Sequence, residues 1–315
     1  MNEFYEKLDE LYGAGDIAKV EEFILTAIAE TRGGSVERAG LYNELAGFYR
    51  GLSRYAEAED VFSRALDIFA AAGMGATPEY ATVLLNLAGL YRMKGEADRA
   101  VSLFTDAIKR LEDADAEDSY AYVSVLNNLA LAFQEKGEYA LAFEYADKAL
   151  SRLRRSSGND HEIAASLNNL AAIQLSLGKY GDAERYIEEA LSIYGAMPET
   201  NVHLAAAVTT QAVIKCRKGD YQGALDGFRS ALELTTRFFG ENIEFAACKR
   251  NIADVCEITG NLQAAANEQA EAVRIMERIL GADHPSVQDA LEKLRRLNLR
   301  AEKETGLSTD RAQRG

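Results

Sequence analysis

Histidines, cysteines, asparagines and two arginines are the residues of this chain whose types and spacing could support chemistry. The three histidines, His161, His203 and His284, are candidate metal ligands or proton carriers. Each falls near the start of a helical segment, one or two sequence periods from the next, so they are expected to serve at helix starts rather than to meet at a metal. Cys216, Cys248 and Cys256 form no CxxC pair, and their odd number suits buried thiols better than a disulfide framework. "GAGDIA", Gly13 to Ala18, has the spacing of a dinucleotide loop but follows the helical "NEFYEKLDELY" instead of a strand, which makes it a turn. No nucleophile elbow, HExxH or glycine-rich phosphate loop stands out, so the expectation is no catalytic residue, no metal and no cofactor.

The asparagines recur with a period. Asn86, Asn128, Asn169 and Asn251 occupy one column, with Glu44 and Thr210 in the remaining units, and Asn43, Asn127 and Asn168 stand one residue earlier. Asparagine is a mediocre helix former, so its return inside helical segments calls for a polar task. A carboxamide can donate to and accept from a peptide backbone, or bond to its neighbours and hold a stack together. Arg50 and Arg92 lie further along the same segments, followed in their column by Gln134, Leu175, Cys216 and Glu257. Gly47 and Gly89, three residues before the arginines, leave room for a ligand carboxylate held by bidentate hydrogen bonds. An ion pair with the abundant surface carboxylates is the competing expectation.

The elements carrying these residues follow from a repeat. Ala46, Ala88, Ala130, Ala171, Ala212 and Ala253 are separated by 42, 42, 41, 41 and 41 residues. Two further alanine columns keep the register, Ala58 to Ala265 and Ala65 to Ala272, while Gly95, Gly137, Gly178, Gly219 and Gly260 fall between the first and second, with Ser53 in their place in the first unit. Glycine suits a left-handed helix end, so each unit reads as two antiparallel helices joined by a tight turn. Larger residues such as Leu45, Leu87, Leu129 and Leu170 fill the space the alanines leave. A period near 40 with two helices per unit marks an α-solenoid.

"LNNLA" at Leu126 to Ala130 and Leu167 to Ala171, the alanine and glycine columns, "TPEYA" at Thr77 to Ala81 and "DHP" at Asp283 to Pro285 together resemble the tetratricopeptide repeat family, in its longer-period, kinesin-light-chain-like bacterial variety. The resemblance implies an all-α, right-handed solenoid of antiparallel helix pairs whose concave groove, lined by the first helices, takes a protein or extended peptide. Asn86, Asn128, Asn169, Asn251, Asn127 and Asn168 would then contact a partner backbone, with Arg50 and Arg92 as charged anchors. The lysine and asparagine pair of chaperone-binding members has no match here, since the corresponding pairs are Asn43 with Gly47, Leu85 with Gly89, Asn127 with Leu131 and Arg250 with Asp254.

The expected organisation is a degenerate leading helix pair over 1–33, six repeats over 34–281, a capping helix over 282–300 and a disordered tail over 301–315. A net charge of −15 disfavours nucleic acid and anionic lipid as partners. No apolar run approaches a membrane span, and the acidic N-terminus is unlike a signal peptide, so the expected setting is cytoplasmic. The expected function is a non-catalytic scaffold. The alternatives are a peptide or metabolite receptor acting through another subunit, and an enzyme built on the helical array.

Overall fold

The computed structural model describes residues 2–13, 17–155, 158–197 and 203–314, all in helices and short connections, with no strand among them. The chain divides into two compact units, Met1–Ser157 and Gly158–Gly315. The first holds α1 (Asn2–Gly13), α2 (Ile17–Glu30), α3 (Val36–Gly51), α4 (Tyr55–Ala71), α5 (Pro78–Met93), α6 (Ala97–Asp113), α7 (Tyr120–Glu135) and α8 (Tyr139–Leu153). The second holds α9 (Asp160–Ser176), α10 (Tyr180–Gly195), α11 (Leu204–Arg217), α12 (Tyr221–Phe239), α13 (Ile243–Ile258), α14 (Leu262–Leu280) and α15 (Pro285–Arg314).

Local chemistry sets the helix ends. Ser35, Thr77, Ser119 and Asn242 cap first helices by accepting from the backbone N–H three residues on, which satisfies donors that a helix start leaves unpaired. The turns inside the pairs use the left-handed backbone: Gly95, Gly137, Gly178, Gly219 and Gly260 have φ between 73° and 89°, and Ser53 adopts 59° in their place. The centre of the Gly13 to Ala18 motif, residues 14–16, lies outside the described residues.

Packing then follows the small side chains. All three alanine columns are buried to within 1% exposure, so any larger group there meets a neighbouring helix and overpacks the core. Phe62, Phe104 and Phe228 fill the interior beside them. Within each unit, consecutive helices pack in antiparallel pairs. The first helices of successive pairs also touch one another, α3 with α5 and α5 with α7 in one unit, α9 with α11 and α11 with α13 in the other. Second helices of successive pairs make no such contact among the described residues. The first helices therefore form the tighter, inner layer of each unit.

Helix α15 packs on α14 through Val287, Ala290, Leu297 and Ala301, and the fully buried Gln269 donates to the Ala290 carbonyl at 2.9 Å. The sequence places the end of this helix at 300 and a disordered tail beyond it. The helical backbone of α15 is continuous to Arg314; no proline occurs after Arg300, although Gly306 disfavours a helix interior.

Candidate functional site

All six predicted asparagines lie on first helices and are half-buried. In the first unit, Asn86 Nδ2 donates to Asn43 Oδ1 at 3.0 Å, joining α5 to α3 through two carboxamides. Asn128 Nδ2 turns back to the Ser124 carbonyl of its own helix at 2.9 Å, and Asn127 stands beside it. Each amide group so used still has an acceptor or donor to spare. The stack-holding and partner-contacting roles are thus compatible in one side chain.

The second unit breaks this pattern at one point. The residue corresponding to Asn86 beside Asn168 is Thr210, whose hydroxyl donates to the Ala206 carbonyl of its own helix at 3.1 Å. Asn168 Oδ1 is left buried without a hydrogen-bond partner. Asn169 is its neighbour on α9. Asn251 lines a hollow of about 440 Å³ with Val213, Cys216, Arg217, Asp254 and Glu257. Two of its carboxylates are answered from α15, where Lys293 pairs with Asp254 and Arg300 with Glu257.

The two arginines separate. Arg92 pairs with Glu135 one repeat on, as expected of a chain rich in carboxylates, and its Nε stays buried and unpaired. Arg50 pairs with no carboxylate among the described residues. Its Nη1 donates to the Asn86 carbonyl at 3.1 Å, and a Cβ at residue 89 would lie 3.1 Å from the same atom. The space at Gly89 is therefore filled by Arg50 from the preceding repeat, rather than left open beside Arg92, while Gly47 has nothing within 4 Å. Burial and then the nearby Arg92 charge push the Arg50 guanidinium below its ordinary pKa. At the start of this layer, burial raises the Glu44 carboxyl, and Tyr5 Oη lies 3.5 Å from it.

The histidines depart from expectation. The His161 and His203 rings meet edge to face with centroids 4.6 Å apart, because successive first helices start side by side. Tyr194 flanks His161 at 6.1 Å. Partial burial, and then His161, lower the His203 pKa. His284 serves the start of α15, its Nδ1 accepting from Ser286 N at 3.2 Å. No group of three or more His, Cys, Asp or Glu among the described residues could hold a metal. The Cys248 thiol donates to the Phe228 carbonyl at 3.3 Å, and burial pushes its pKa up to about 12, which keeps it protonated and unreactive. Cys256 is buried and Cys216 half-buried.

Sequence reading missed Glu135, Met93, Lys293 and Arg300 as members of the inner layer. One signal was available: the opposite charges Arg92 and Glu135, and likewise Glu257 and Arg300, stand 43 residues apart, just over one repeat.

Comparison with known proteins bears on the fold. A family model described as tetratricopeptide repeat matches residues 37–113, 122–196 and 204–278, well over half of the chain. No curated protein matches the sequence. Among solved structures, BtubC (BKLC) from P. vanneervenii is 24% identical over 62% of this chain and 80% of its own, with a TM-score of 0.57. A tetratricopeptide repeat protein from Parabacteroides merdae is 17% identical over 93% of this chain and 98% of its own, with a TM-score of 0.63. NprR, solved in complex with its cognate peptide NprX, is 17% identical over 96% of this chain and 85% of its own, with a TM-score of 0.67. At such identities the likeness speaks to the fold.

Proposed function

Since the chain belongs to the tetratricopeptide repeat family, we propose that it is a non-catalytic scaffold that holds a protein or extended peptide along the inner layer of first helices. Asn86, Asn127, Asn128, Asn168, Asn169 and Asn251 contact the partner backbone, and Arg50 and Arg92 anchor its charge. The observation that carries this reading is the half-burial of the whole asparagine set on the helices that touch across successive repeats. Half-burial leaves each carboxamide both a neighbour to bond and an open side to offer. The partner-bound setting is proposed to be cytoplasmic; no helix among the described residues is long and apolar enough to cross a membrane.

The experiment is affinity capture on the full chain, comparing the wild type with an Asn128→Ala, Asn169→Ala double variant. The expected outcome is a weakened partner with helical content and melting temperature nearly unchanged. A large drop in melting temperature with capture intact assigns the asparagines to stack-holding alone. A second reading, a peptide receptor whose output passes through another subunit, is favoured by the likeness in fold to NprR with its bound peptide. A stoichiometric peptide that raises the melting temperature, with no folded protein co-purifying, selects it over the scaffold.

A further inference from the structure

Arg50 and Arg92 occupy equivalent places in successive repeats, 42 residues apart, and so do Met93 and Glu135. The guanidinium of Arg92 reaches the carboxylate of Glu135, 43 residues on. The residue 43 on from Arg50 is Met93, which is 51% exposed and offers no charge. One repeat thus supplies its arginine with a carboxylate, and the repeat before it leaves the same place uncharged and open to solvent.

The unanswered charge is held ready. Of the five N–H donors of a guanidinium, Arg50 spends one, on the Asn86 carbonyl, itself a backbone acceptor inside α5. Glycine at 89 is what lets Nη1 come that close. No carboxylate among the described residues pairs with Arg50, in a chain with 50 acidic and 35 basic side chains. Partial burial strengthens any ion pair formed there. An oxyanion arriving at this point pairs with the Arg50 guanidinium and offsets the nearby Arg92 charge.

We propose that Arg50, with Arg92 beside it, receives one acidic side chain of an extended partner segment, in the position that Glu135 takes for Arg92. This inference rests on the partner-binding reading above and names the chemistry of the partner. The Asn43–Asn86 amide pair lies seven residues before Arg50 on α3, roughly 10 Å along the helix axis. A segment whose backbone crosses at those amides reaches Arg50 through a side chain, so the carboxylate belongs to Asp or Glu and not to the chain terminus.

The test screens short, random, C-terminally amidated peptides against the full chain as wild type, Met93→Glu and Arg50→Gln. Amidation removes the terminal carboxylate as a source of charge. Met93→Glu is an exposed substitution that gives Arg50 its own intramolecular carboxylate. The expected result is enrichment of Asp or Glu at one fixed peptide position in the wild type. Affinity for those peptides should fall about tenfold in both variants, the scale of a lost charge-assisted bond, and binding of their Asn or Gln counterparts should be unchanged. Binders without acidic preference, or an acidic preference that survives Met93→Glu, overturn the inference and leave the partner-binding reading standing. Absence of any binder overturns both.

Discussion

The inner layers of the two units are built alike and charged differently. In the first unit the column at the C-terminal end of the first helices presents Arg50 and Arg92, one of them without a counter-charge. In the second unit the same column presents Leu175, Cys216 and Glu257, and Asp254 and Glu257 of α13 are paired with Lys293 and Arg300 of α15. The alanine and phenylalanine interiors beneath do not share this difference. Stack and surface charge are therefore separable in this molecule: the buried alanine columns hold the helices together in both units, while the column at the first-helix ends differs in charge between them.

The largest effect is expected from the shared interior. Phe104→Ala and Phe228→Ala each remove a fully buried ring and should each cost about 3–5 kcal/mol, read from denaturant unfolding. Similar losses in the two units would confirm a common interior; a loss confined to one would break the comparison.

A smaller effect is expected from the inner-layer charges. Glu257→Gln leaves Arg300 without its carboxylate and should cost up to about 1 kcal/mol, with the difference from wild type shrinking at high salt. Arg50→Gln, having no internal ion pair to lose, should cost less. A salt-sensitive loss at Arg50 equal to that at Glu257 would erase the distinction between the units.

The smallest effect concerns the histidines of the second unit. The folded state lowers the His203 pKa, so below the ordinary imidazole value of about 6.5 the unfolded chain takes up the proton first and stability falls as pH falls. His203→Gln should flatten that acid-side loss in melting temperature and change nothing near pH 8. An unchanged acid slope would mean that the His161–His203 contact carries no titration linkage.

Much of the fold was legible in the chain because its signals are local and repeated. A buried alanine at a fixed interval, a glycine that must take a positive φ, and serine, threonine or asparagine at a helix start each impose their structure wherever they stand. The repetition made six weak signals into one strong one. The site was less legible. Asn86 and Asn128 share a column, yet one bonds across helices and the other to its own helix, since the choice depends on whether a carboxamide stands opposite.

The sequence by itself determined that this chain is a series of paired helices in the tetratricopeptide repeat family, because side-chain volume and backbone conformation at each column act within one repeat. Only the tertiary structure decided which polar groups meet: Arg92 with Glu135, His161 with His203, and Arg50 with no carboxylate among the described residues. Such pairings depend on how far one helix is offset against the next. A single residue of offset turns a side chain by about 100°, and that separates a satisfied charge from an open one.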